Sequence, residues 1–206
     1  MRLLSVIFTC LITMQYSFAD SLAKNNLISR LQQTDTLRAN FIQRTLQANK
    51  QVIEESTGLL TVSRPMKFFW EVLEPAPQQI ISNGETLWVY DPDLEQATYQ
   101  AVNEQLMQSP AMILAQPNTT LTEQYEVLEA GDDTFTAYKL YPLDESALIS
   151  ELTILYKEGV IAEIRILDEL DQQTLIIFSD VDVNVAVSDV FFEFKAPEGT
   201  DLFEQM

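Results

Sequence analysis

The chain contains no histidine and a single cysteine, Cys10. It holds only five glycines, and its 12 Lys and Arg are far outnumbered by 31 Asp and Glu. Each shortage excludes something. Without histidine, the Ser-His-Asp and Cys-His arrangements of nucleophilic catalysis cannot be assembled, and any metal site must be built from oxygen donors. With so few glycines, no glycine-rich phosphate loop is present. The scarcity of cations sets the partners: a surface of this sign repels nucleic acid and anionic lipid headgroups and favours partners with basic patches. Solubility, or life in a salty habitat, explains the same charge.

The first nineteen residues read as a secretory signal peptide. Arg2 supplies the positive start, Leu3 to Met14 a short apolar run, and Ser17-Phe18-Ala19 a small-x-small cleavage site before Asp20. The run is too short and wrongly flanked for a membrane span. Cys10 stands too early, after Ile7-Phe8-Thr9, to be a lipid-attachment cysteine. Residues 1–19 are thus expected to be removed, leaving 20–206 as a single exported domain. The remaining 11 cations against 31 carboxylates give a net charge of about −20. No cysteine survives the cleavage, so packing rather than disulfides must hold this fold.

Asp20 or Ser21 caps an expected helix running to about Thr34. Ala23, Leu27 and Leu31 form its apolar stripe, with Leu22 and Ile28 beside them. The pattern then turns to period two. Strands are expected at Leu37–Leu46, Val52–Val62, Lys67–Leu73, Gln78–Ser82, Thr86–Tyr90 and Leu94–Val102. After a short apolar helix opened by Ser109-Pro110, they resume at Gln124–Glu129, Phe135–Leu143, Ile149–Tyr156, Val160–Leu167, Thr174–Asp180 and Phe191–Lys195. The breaks carry turn residues, among them Arg64-Pro65, Pro75-Ala76-Pro77 and Asn83-Gly84. Short links between neighbours imply antiparallel hairpins and a mainly β domain of about eleven strands, a sheet too wide to stay flat. Phe68-Phe69-Trp70-Glu71-Val72-Leu73 and Leu175-Ile176-Ile177-Phe178 are apolar on both faces, yet the helices available to cover them are few. A curled sheet with an apolar concave lining and a helical lid reconciles the two.

Little in the sequence points to chemistry. Asp91-Pro92-Asp93 and Asp180-Val181-Asp182 lack the spacing of a calcium loop and read as exposed turns. No carboxylate pair is singled out for acid–base work. Asn118-Thr119-Thr120 matches a glycosylation acceptor, a pattern that often occurs by chance. No cofactor, metal site or nucleic-acid interface is expected, and the chain is read as a non-enzyme. The informative stretch is Arg64 to Asp91, which holds both tryptophans, Trp70 and Trp88. Its aromatic residues suit either an ordinary core or the wall of a pocket. Arg64 lies at a strand end among apolar neighbours, and a guanidinium with five donors is costly to bury unpaired. A surface ion pair is its plain alternative role.

These residues resemble a known family. Phe41-Ile42-Gln43, Arg64-Pro65 with Phe68 and Trp70, and the run Ile81 to Tyr90 followed by Pro92 and Glu95-Gln96-Ala97-Thr98 are similar to the periplasmic outer-membrane lipoprotein carriers of the LolA family. So are Ser109 to Ala115 and Phe192-Glu193-Phe194 with Pro197 and Gly199. The resemblance implies an incomplete antiparallel β-barrel closed by a helical lid over an apolar cavity. It also implies a monomeric periplasmic carrier of acylated lipoproteins. Its cargo would come from an inner-membrane ABC-type release complex (LolCDE) and pass to an outer-membrane receptor (LolB). It assigns Arg64 to the lid, donating to the carbonyls of Leu31, Leu114 and Ala115. Phe68 is assigned to contact with the release complex, and Phe41, Trp70, Trp88 and Met112 to the acyl-chain cavity. Two positions depart from the family pattern: Phe69 replaces a polar residue, and Ala111 a larger apolar one. A different periplasmic lipid binder or lipoprotein sensor on the same fold, or more remotely a carboxylate hydrolase, remain as alternatives.

Overall fold

The computed structural model describes residues 21–102, 110–116, 124–132, 134–144 and 146–205, with the backbone alone for 110–112. The expected signal peptide and Asn118 to Thr120 lie outside these residues. A first helix, α1, spans 21–32. It buries Ala23, Leu27, Ile28 and Leu31 on one stripe and leaves Leu22 exposed, as 3.6-residue periodicity requires.

Twelve strands follow among the described residues: β1 (Thr36–Leu46), β2 (Val52–Ser63), β3 (Lys67–Glu74), β4 (Gln78–Asn83), β5 (Thr86–Asp91), β6 (Gln96–Ala101), β7 (Tyr125–Gly131), β8 (Phe135–Pro142), β9 (Ile149–Lys157), β10 (Val160–Asp168), β11 (Gln173–Val183) and β12 (Asp201–Glu204). A six-residue helix, α2 (Pro110–Ala115), lies between β6 and β7. The strands form one sheet in the order β12-β6-β5-β4-β3-β2-β1-β11-β10-β9-β8-β7. Neighbours are antiparallel except at the β12 edge, where β12 runs parallel to β6. The sheet does not close, since β12 and β7 are its two ends.

Pairing register divides the side chains between two faces. On the concave face, Leu60 and Val62 stand opposite Trp70 and Phe68, Ala39 and Leu37 opposite Leu60 and Val62, and Ile154 and Leu152 opposite Ile164 and Ile166. These residues join Leu27, Leu31, Ile113 and Leu114 from the two helices in one buried cluster. The core therefore lies between the sheet and its two helices rather than between two sheets.

The expected last strand, Phe191–Lys195, is not a strand. Asp189–Phe192 is a turn of 3-10 helix, and the chain beyond it lies across the convex face. Phe191 packs on Phe69 with ring centroids 5.1 Å apart. Phe192 is fully buried, and Phe194 covers Trp88 and Tyr90 at 6.2 and 5.4 Å. These aromatic residues alternate as a strand's would, but they serve as cover for β3–β5. The true edge strand, β12, comes ten residues later. This segment explains why β3 is apolar on both faces and why a phenylalanine stands at position 69.

Gly58 in β2 is fixed by the same packing. A Cβ there would lie 1.9 Å from the Glu71 carbonyl oxygen and 2.6 Å from the Phe41 ring. The absent side chain allows Phe41 to reach Trp70, the ring centroids being 4.2 Å apart. We predict that Gly58→Ala lowers stability by at least about 2 kcal/mol, since neither backbone nor ring can yield cheaply. Urea unfolding followed by circular dichroism checks this, and an unchanged midpoint would contradict it.

Candidate functional site

The concave face holds a cavity of about 740 Å³. β3 supplies Phe68, Trp70 and Val72; β4 and β5 supply Ile80, Leu87 and Val89; and Val102, Ile166, Ile176 and the Pro75–Pro77 link add to the apolar lining. Gln43, Glu54, Gln78, Asp91 and Gln100 add polar groups to it. The apolar walls come from alternate residues of successive strands, so the cavity follows directly from register: Ile80 opposes Trp70 and Val89. Such a surface hosts apolar chains, with the few polar groups available for whatever joins them.

The sequence-assigned cavity residues fall in different places. Trp70 lines the cavity. Phe41 is on the concave face but 2% exposed, and it backs Trp70 instead of meeting the space itself. Trp88 is not in the wall. It pairs with Ile81 on the convex face and packs under Phe194. The reason is parity. The tight turn at Gly84-Glu85 sets Ser82 opposite Leu87, so Leu87 and Val89 point inward and Trp88 outward. Asn83 fixes that turn, its Oδ1 accepting from the Glu85 and Thr86 N–H groups at 3.0 and 2.9 Å. The Met112 side chain lies outside the described residues. Phe68, assigned to an external partner, is 4% exposed and faces the cavity. Period two puts Val72 on one face with Phe68 and Trp70, whereas Ile80, Leu87, Val89, Ile166 and Ile176 carry no mark in sequence beyond alternation.

Arg64 stands where β2 ends, beside Pro65. Its Nε donates to the Leu114 carbonyl of α2 at 2.8 Å. A terminal nitrogen donates to the Leu31 and Thr34 carbonyls at the end of α1. One guanidinium thus joins both helices to the β2–β3 corner. The last carbonyls of a helix lack intrahelical partners and carry partial negative charge, so a cation satisfies both needs. Ala115 differs from expectation: its carbonyl accepts from the Met66 N–H at 3.3 Å, and Thr34 provides the third acceptor for Arg64. Met66 has a positive φ of 62°, which turns the corner and presents that N–H to α2. Burial pulls the Arg64 pKa below its ordinary value, while Tyr156 and Asp35 act to raise it. The cost of that desolvation is offset by the three carbonyls, because the group has no carboxylate within salt-bridge distance among the described residues.

A second cavity, of about 470 Å³, lies beneath the end of α1. Arg64, Arg30, Leu31, Leu114, Tyr138 and Tyr156 are among its walls. Tyr156 is 5% exposed, and burial raises its pKa far above the ordinary tyrosine value, against the pull of Arg30 and Arg64.

Comparison with known proteins gives the following. The family described as "Outer membrane lipoprotein carrier protein LolA" matches residues 32–195. An outer-membrane lipoprotein carrier protein of Pseudomonas aeruginosa is 33% identical over 208 residues, covering the whole of both chains. Another, of Azotobacter vinelandii, is 31% identical over 187 residues, 91% of this chain and 90% of its own. Among solved structures, a LolA superfamily protein of Nitrosomonas europaea aligns with a TM-score of 0.52 at 15% identity, covering 84% of this chain and 98% of its own. An uncharacterised conserved protein of Thermus thermophilus aligns with a TM-score of 0.55 at 13% identity, covering 88% and 98%. At those identities the two structures speak for the fold alone.

The two tryptophans report on opposite faces, which makes the cavity assignment testable. With Trp88→Phe, Trp70 is the sole emitter, and a fatty-acyl chain brominated along its length should quench it strongly. With Trp70→Phe, the remaining Trp88 emission should be unaffected by the same chain. Quenching of Trp88 but not Trp70 would place the apolar ligand on the wrong face.

Proposed function

The chain belongs to the LolA family of outer-membrane lipoprotein carrier proteins, and we propose that its Arg64-held helices form the lid of an acyl-chain cavity. The concave cavity carries this reading. Its apolar lining offers acyl chains a place out of water, and each buried CH₂ is worth roughly 0.8 kcal/mol. A lipoprotein with several such chains cannot cross an aqueous compartment unaided. A carrier must shelter them and still give them up. The chain is a lipoprotein carrier of this kind, and the family is one of carriers rather than enzymes.

The finer reading places it in the periplasm. Residues 1–19 act as the export signal and 20–206 as the working domain, and no helix among the described residues is long and apolar enough to cross a membrane. Cargo comes from an inner-membrane release complex of the LolCDE type and passes to an outer-membrane receptor of the LolB type. Phe68 is buried in the closed arrangement, so it meets the release complex once the cover lifts. The net charge of −19 for the full chain complements a basic mouth on the receptor, and such complementarity favours fast, salt-sensitive encounter.

Arg64 sets the balance between holding and release. Its hydrogen bond to Leu114 exists only while α2 lies over the sheet, so it stabilises the closed, empty carrier and opposes retention of cargo. Hydrogen bonds to a charged group contribute about 1.5–3 kcal/mol each. Arg64→Leu should therefore accept lipoprotein normally but transfer it to the receptor at least about tenfold more slowly. Transfer by the purified variant at the native rate would sink the latch. Mass spectrometry of molecules copurifying with the protein tests the wider reading: intact acylated lipoproteins support it, other lipids alone point to a lipid binder, and cleaved products to an enzyme.

A further inference from the structure

The two helices of the cover are not held in the same way. α2 makes its main contacts with β2 and β3. Its hydrogen bonds to that corner are those from Arg64 to Leu114 and from Met66 to Ala115. α1 shares the Arg64 contact through Leu31, but it is also fastened to the far end of the sheet. The Arg30 guanidinium, from the middle of its last turns, lies 4.9 Å from the Tyr156 ring centre in β9 and 6.0 Å from that of Tyr138 in β8. The two rings meet edge to face, their centroids 6.0 Å apart. One turn earlier, Asn26 Nδ2 donates to Glu129 Oε2 of β7 at 2.7 Å, and the Tyr138 hydroxyl donates to the other oxygen of that carboxylate at 3.2 Å.

We propose that Arg30 is a positioning residue that anchors α1 to β7–β9, so that the cover opens by movement of α2 while α1 stays in place. This rests on the reading of Arg64 as the lid's latch. Both tyrosines are almost fully buried, at 5% and 1% exposure. Their rings are therefore fixed platforms, and a cation over a partly desolvated aromatic face is held more tightly than one at an exposed site. When Arg64 lets go of Leu114, α1 keeps Leu31 on Arg64, Arg30 on two rings and Asn26 on Glu129. Among the described residues, α2 keeps the Met66 N–H on Ala115. The carrier then opens on the side of β3–β6, where the larger cavity lies, and the second cavity under α1 keeps its roof.

Hydrogen exchange of the purified, cargo-free protein separates the two roles. In Arg64→Leu, amide exchange over 110–115 should rise by at least about tenfold, while that over 21–30 stays within about twofold of the native rate. In Arg30→Met, which retains the apolar stem and loses the charge, exchange over 21–30 should rise about tenfold. Arg30→Lys should restore most of that protection, because a lysine still places a cation over the rings. Exchange over β1 and β2 gives the internal control for intact folding, and Asn26→Ala offers a milder route should Arg30→Met fail it. A native-like rate over 21–30 in Arg30→Met would overturn the anchor, as would equal loosening of α1 and α2 in Arg64→Leu. If 110–115 stays protected in Arg64→Leu while Arg30→Met behaves as stated, the latch reading fails and the anchor stands.

Discussion

A single half-buried guanidinium bonded to helix-end carbonyls joins the two helices on the concave side to one strand corner. Arg64 reaches Leu114 of α2 and the end of α1 from one strand corner. Arginine suits the position because its donors are fixed in a plane and can satisfy several acceptors at once. No carboxylate competes for it within salt-bridge distance among the described residues, in a chain with 31 of them. A carboxylate partner would hold it whether or not the helices were closed. Carbonyl partners tie it instead to the positions of the helices.

The sheet supports this by leaving one face unfilled. A closed barrel of small diameter would pack its interior with side chains. Here β12 and β7 do not meet, and the apolar concave residues of β3–β6 face a cavity rather than a partner layer. The convex face of the same strands is sealed by Phe191, Phe192 and Phe194. The strands are consequently apolar on both sides for two different reasons: one side is covered by the chain's own C-terminal segment, and the other faces the cavity.

Much of this was legible in the residues. Period-two runs gave eleven of the strands, and the apolar stripe of 21–32 gave α1. Arg64 stands out because an arginine at an apolar strand end needs acceptors; the family resemblance names Leu31 and Leu114, whose carbonyls accept from it. The limits were geometric. Trp70 and Trp88 look equivalent in sequence, yet they face opposite sides because the β3–β4 link and the Gly84-Glu85 turn together set strand parity, which alternation alone does not reveal. Phe191-Phe192-Glu193-Phe194 alternates as a strand does, and only three-dimensional packing distinguishes a cover from a ladder. Arg30 gave no signal at all, since an arginine on a helix ordinarily meets solvent and its tyrosine platforms lie more than a hundred residues away.

The central claim is that Arg64 favours the closed, empty state and thereby drives release. The most direct measurement is the dissociation rate of a fluorescent diacyl lipid from the purified protein and from Arg64→Leu, chased by excess vesicles. The account predicts dissociation from Arg64→Leu at least about tenfold slower than from the native chain, the equivalent of losing one charge-assisted hydrogen bond. Equal rates, or faster loss from the variant, would contradict it.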